Sequence, residues 1–430
     1  SYSPAPTSPP YLPLIDPSIC PGSHNINVST FIDQNQNGLF DNNESITFDE
    51  DVLADFTAKQ VTGLTATALS QPLSIDVWNS RKKNDWIDNG IYLMSDIEES
   101  DINPKSGNNG LSQSERQWLQ VEKNINSDDT PYIDVTALQQ EVNSWIYPLH
   151  FIDFETNKSA LPFHEGRKPY EQIAFQFSHH QVNKDGSVKH AGQFLNTEPT
   201  EFPNYDFVRA LKAELSQDNG TVFMYFPHEN RVLNDIYNQM DEDNTPPVDK
   251  DELQAFIISI TEGSGPNKGK WHGGERMMVD LCELVKRFYY DPLTGGSNSI
   301  KQVLPAVLAR SVLLQNIYSK PIYGNDNGIS SFNFTDHAWF SADNIDPYKS
   351  LEKLFDEVDS DSISLLSSNE KIADGGAAMT AYAYLQYSDM SAEERQALRD
   401  GLLRYCELDT MAMVMIYQAW MDWLENGIDE

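Results

Sequence analysis

Two acids stand two residues apart inside an apolar run, Tyr147-Pro148-Leu149-His150-Phe151-Ile152-Asp153-Phe154-Glu155-Thr156. In a β-strand alternate residues share a face, so Asp153 and Glu155 point the same way from a segment otherwise fit for a core. Two carboxylates held that close repel unless a cation lies between them, which makes the pair a candidate metal site. Acids also end strands and cap helices, so the pair takes its meaning from what lies downstream. Glu229 follows Tyr225-Phe226-Pro227-His228, where a strand end turns into a helix; an acid in a first turn also complements the helix dipole. Near the C-terminus, Leu402 to Thr410 reads as helix, and Tyr405 and Asp409, four residues apart, share one face of it.

The elements that must position these residues begin near Pro148. Residues 1–143 are polar, rich in Asn, Asp and Ser, with short helices expected over Leu111–Val121 and Val135–Trp145. From residue 144 to 430 strands alternate with helices. Strands are expected at Pro148–Phe154, Ile173–His180, Ala191–Leu195 (after an Asp185-Gly186 turn), Thr221–Phe226 and Met277–Asp280. Helices are expected at Phe207–Leu215, Glu229–Met240, Leu281–Tyr289, Ser299–Val307, Ala377–Leu385 and Ala392–Trp423, the last with a break near Gly401. Such an order predicts an α/β domain: a mixed sheet with antiparallel members, flanked by helices, as in ribonuclease H-like folds. Insertions are expected at 239–275 and 309–372.

Composition bounds the rest. A chain of 430 residues with 39% hydrophobic content builds a proper core. No run of about 18 apolar residues is present, so no transmembrane helix and no membrane partner are expected. Ser1 to Pro13 is Pro-rich and has neither the basic nor the apolar region of a signal peptide. Cys20, Cys282 and Cys406 are too widely spaced for a disulfide framework or a zinc cluster, which fits a reducing cytoplasm. The net charge of −35 repels long polyanions, so a nucleic-acid reading must favour short or single-stranded substrates over long duplexes.

Taken in order, the three acidic segments resemble the DEDD 3′–5′ exonucleases. In that superfamily a D-x-E strand, an acid after a later strand and a final helical acid hold two divalent cations. Tyr405 stands four residues before Asp409, as in the Tyr branch. A closer similarity, from about Leu138 onward, is to the bacterial domain-of-unknown-function family 2779. It is carried by His150–Thr156, Pro169–His180, Ser297–Pro305, Asp374–Ala378 and Tyr405–Met413. The resemblance implies a metal-dependent 3′–5′ exonuclease acting on single-stranded DNA or RNA ends or short oligonucleotides. Asp153, Glu155, Glu229 and Asp409 would hold two Mg²⁺ or Mn²⁺ ions, and Tyr405 would orient the attacking water. Glu229 departs from the wider pattern, which has Asp there. Asp235 is a fallback ligand expected to face away from it.

Other residues carry weaker expectations. His164, Arg167 and Lys168 are candidates for substrate phosphates. Lys268, Lys270 and Arg276, in a Gly-rich segment with Trp271, are candidates for guiding a strand, with a solvated loop as the alternative. Asp280 and Ser299 read as helix caps. His179-His180 lacks a third soft ligand and reads as structural. Asp33 to Glu44 has the residue types of an EF-hand loop, which leaves Ca²⁺ binding open. Two other functions remain beside the nuclease: a catalytically silent nuclease-fold module binding nucleic acid or protein, and a calcium-binding protein acting through Asp33.

Overall fold

The computed structural model describes residues 28–31, 46–48, 70–199, 201–351, 372 and 374–428. The chain divides into two compact units, residues 1–75 with 81–96, and residues 76–80 with 97–430. In the first, Val28–Phe31 pairs antiparallel with Ile46–Phe48, and a short helix spans Lys83–Asp88. The calcium-type loop from Asp33 to Glu44 lies outside the described residues.

The second unit carries a five-stranded mixed sheet: β1 (Leu149–Asn157), β2 (Ile173–Val182), β3 (Val188–Leu195), β4 (Val222–Met224) and β5 (Val279–Asp280). The strand order is β3-β2-β1-β4-β5. β1, β2 and β3 form an antiparallel meander, whereas β4 and β5 continue the sheet parallel to β1. The helices are α1 (Gln113–Ile125), α2 (Val135–Val142), α3 (Asn204–Leu215), α4 (His228–Glu242), α5 (Lys250–Ile260) and α6 (Leu281–Phe288). They continue with α7 (Ile300–Arg310), α8 (Val312–Tyr318), α9 (Gly375–Tyr387) and α10 (Ala392–Asn426). The sheet is therefore the mixed, helix-flanked one expected. The unit that holds it starts earlier than residue 144, because α1 and α2 belong to it. Arg116 of α1 shows why: its buried guanidinium donates to the carbonyls of Val285, Lys286 and Tyr289 and to Asn298.

Strand alternation sorts the core into two layers. On β1, Leu149 and Phe151 join a cluster that includes α7 to α10, whereas Ile152 and Phe154 pack with α3, α4 and α5 on the other face. Asp153 and Glu155 continue the first set and so are aimed at the α10 side. α10 opens with a capping box between Ser391 and Glu394 and runs unbroken through Gly401. Every residue from Tyr405 to Tyr417 is buried, as expected of a helix covered all round, here by β1, β2, α7, α8 and α9. α5 was not foreseen; its Leu253, Phe256, Ile257 and Ile260 complete the opposite layer.

A polar network ties α10 to the sheet and to the segment 323–333. Glu407 is fully buried and accepts from the Tyr323 hydroxyl at 2.6 Å, Ser331 at 2.5 Å and Asn333 at 2.7 Å, with His190 Nδ1 at 3.1 Å. Burial works against its charge, but His190 and the two hydroxyls hold its carboxyl below the usual range. Removing a satisfied buried acid strands its partners. Glu407→Ala is expected to lower unfolding free energy by about 3–5 kcal/mol in urea titration; a change under about 1 kcal/mol would mean the network contributes nothing net.

Candidate metal centre

The sheet and α10 bring Asp153, Glu155 and Asp409 together: one oxygen from each lies within 4.8 Å of the others. β1 presents the first two on one face, and α10 crosses that face with Asp409 turned toward them. Glu155 and Asp409 are buried, and Asp153 is half-buried. Opposite Glu155 the β1–β2 pairing shifts register, with Phe175 as the extra residue on β2. The next buried residue of that face, Asn157, bonds instead to the Met379 carbonyl of α9.

Glu229 is placed by the turn into α4. It stands outside the tight triad but close enough to be repelled by Asp153, and it is 1% exposed with Oε2 lacking any hydrogen-bond partner. The turn is strained: Phe226 has φ +76°, a left-handed conformation costly for a bulky residue. Asp280 holds it, accepting from the Phe226 amide at 2.9 Å while capping α6 through Cys282 and Glu283. Asp280 is thus the cap anticipated, with a second task. Ser299 occupies the N-cap position of α7, but its side chain makes no capping bond. Asp235 pairs with Lys158 at 3.4 Å.

Burial raises the pKa of Asp153 well above the carboxylate range, with Asp409 adding to it. Glu155 is raised by burial and by Asp153, and Glu229 likewise. Asp409 is raised by burial despite the opposing Tyr348 hydroxyl and Lys301. Burial disfavours the charged form of all four acids and leaves Glu229 an orphaned oxygen, and Asp153, Glu155 and Asp409 could together hold a metal ion, for which carboxylate oxygens suit a hard divalent cation. Tyr405, 3% exposed, is pushed far up by burial and by Asp409, so it remains a neutral phenol.

Three neighbours went unassigned in the sequence. Tyr348, on a one-turn helix at Pro347–Ser350, donates its hydroxyl to Asp409 Oδ1. Lys301 Nζ stands 5.0 Å from the Tyr405 ring centre and 5.5 Å from that of Tyr348, and its charge favours ionisation of Asp153, Glu155 and Asp409. Cys406 Sγ lies 3.6 Å from Asp153 Oδ2. Nothing in the spacing of Tyr348 marks it. Lys301 carried one signal, a lone cation in the first turn of α7 within a block already singled out.

The substrate candidates have other company. Arg167 pairs with Asp243 at 2.8 Å and Glu171 at 3.4 Å and lies on the Phe202 ring; Lys168 pairs with Glu242 at 2.6 Å. His164 is buried, with its pKa pushed down to about 4 by desolvation and then by Arg167. Arg276 turns inward to the carbonyls of Gly220 and Leu215 and to Asp218. Lys270 bonds Asn267, and Lys268 lies in the turn that bridges to Trp271. His179 bonds His150, whereas His180 bonds Thr410 and Tyr323, so the two rings serve separate networks on opposite faces.

Residues 150–299 match the family model described as a domain of unknown function, DUF2779. The matched stretch contains Asp153, Glu155 and Glu229 and stops short of Lys301, Tyr405 and Asp409. Comparison with curated proteins and with solved structures gave no match.

Groups with raised folded-state pKa stabilise fully below their unfolded values, and that contribution is lost as pH rises through the folded ones. In EDTA the melting temperature is therefore expected to fall as pH climbs above the ordinary carboxylate range, less steeply in Glu229→Gln. Mn²⁺ at neutral pH should raise it by about 2–8 °C in wild type and by less in the variant. Identical profiles, indifferent to Mn²⁺, would sink the metal assignment.

Proposed function

We propose that this protein is a metal-dependent 3′–5′ exonuclease on a ribonuclease H-like sheet, hydrolysing single-stranded or short nucleic acid. The observation that carries the reading is the meeting of Asp153, Glu155 and Asp409 within 4.8 Å across the sheet–α10 junction. The strand order β3-β2-β1-β4-β5, antiparallel then parallel, supports the fold assignment. Two divalent cations held by Asp153, Glu155, Glu229 and Asp409 would supply activation of the attacking water and neutralisation of charge at the leaving 3′ oxygen.

The chain's own residues do the remainder. Asp153, Glu155 and Asp409 supply anionic ligands from the core elements β1 and α10, and Glu229 adds one from the first turn of α4. Tyr405, neutral and one turn from Asp409, orients a water through its phenol. Tyr348 fixes the Asp409 carboxylate through Oδ1, as outer hydrogen bonds fix other metal ligands. Lys301 adds a positive charge beside the site, of the sign a scissile phosphate requires. Its Nζ sits over the Tyr348 and Tyr405 rings at 5.5 and 5.0 Å.

The burial of the acids favours one rival, a catalytically silent nuclease-fold module that binds nucleic acid or protein. The two separate in one assay. With 5′-labelled single-stranded DNA and RNA in Mn²⁺, Mg²⁺ or EDTA, a metal-dependent ladder shortening from the 3′ end is expected. Asp153→Asn should abolish it, and Tyr405→Phe should lower kcat by about a hundredfold. Intact oligonucleotides in every lane would transfer the assignment to the silent module.

A further inference from the structure

A groove of about 520 Å³ opens between the end of β1 with its following loop and helix α9. Asn157, Lys158 and Phe163 line one wall, and Met379, Tyr384 and Tyr387 line the other. Asn157 is two residues beyond Glu155 and on the same buried face, so the groove begins about 6–7 Å along the strand from a proposed metal ligand. In a chain with 65 acids, none lines this groove, and Lys158 lies at its edge.

Its aromatic wall is prepared for stacking. Tyr387 is 56% exposed, yet its hydroxyl donates to the carbonyls of Leu161 and Pro162 at 2.8 and 3.2 Å. Phe163 backs the ring at a centroid distance of 5.0 Å. The ring is thus held in place while much of it stays open, so a flat ligand stacks on it without ordering a mobile side chain. The Tyr170 amide bonds the Ser159 carbonyl at the groove's margin, where Tyr170 has φ +59° and is 67% exposed.

We propose that this groove takes terminal bases of a single nucleic-acid strand, stacked on Tyr387. The choice of occupant rests on the nuclease reading; the groove's shape and freedom from acids do not. Stacking accepts any base, so the site selects single strands over duplex and not sequence.

The test uses the full chain and a 5′-fluorescein oligothymidylate with cleavage-resistant phosphorothioate links, titrated by anisotropy in Mg²⁺. Tyr387→Ala is expected to weaken binding about tenfold, whereas Tyr387→Phe, which keeps the ring, should stay within about twofold. Thr380→Glu, on the exposed face of α9, places a negative charge in the groove and should weaken binding by an amount that shrinks with added salt. No binding by wild type, or wild-type binding by both Tyr387→Ala and Thr380→Glu, overturns the proposal. Hydrolysis kinetics separate it from the nuclease reading. Cleavage with unchanged KM in both variants removes the groove and leaves the nuclease. The expected binding losses without cleavage in any metal remove the nuclease and leave the groove.

Discussion

Carboxylates from a strand and from a helix far along the chain share a volume in which water is scarce. Each ionised pair within 4.8 Å costs at least about 3 kcal/mol at an effective dielectric near 20, before desolvation is counted. A fold does not gather such groups for its own stability. Burial drives all of their pKa values up, and repulsion adds to it at Asp153 and Glu155. The surrounding architecture answers this one demand: bring the acids together and give none of them room to swing away.

Two devices meet it. On the sheet side, β1 is central, flanked by β2 and β4, so its alternation leaves Asp153 and Glu155 one direction to face. On the helix side, Glu407 anchors α10 through His190, Tyr323, Ser331 and Asn333 only two residues before Asp409. An acid satisfied by hydrogen bonds thus locates Asp409 opposite Asp153 and Glu155. Phe226 and Asp280 play the corresponding part for Glu229, where a left-handed residue is tolerated because a helix cap holds its amide.

The negative surface and the proposed polyanionic substrate are reconciled locally. Arg167 and Lys168 are engaged by the protein's own acids, and Arg276 serves the fold. Lys301 is the cation set against the carboxylates, and the groove between the end of β1 and α9 carries no acid of its own.

Periodicity made much of this legible in advance. A period of two placed Asp153 and Glu155 on one face of a strand, and a spacing of four placed Tyr405 with Asp409 on one face of a helix. Those are local properties of backbone geometry, so the residues alone determine them. The positions of the five strands in the chain followed from the same patterning. What the residues could not disclose is which distant elements pack together. Tyr348 over Asp409, Lys301 over Tyr405, Arg276 turned inward and α9 as a groove wall all arise from contacts between segments far apart in the chain. An isolated Tyr or Lys looks the same on a solvated surface and beside a metal site. Only the tertiary structure distinguishes them, because burial and electrostatic field are set by neighbours that the local sequence does not contain.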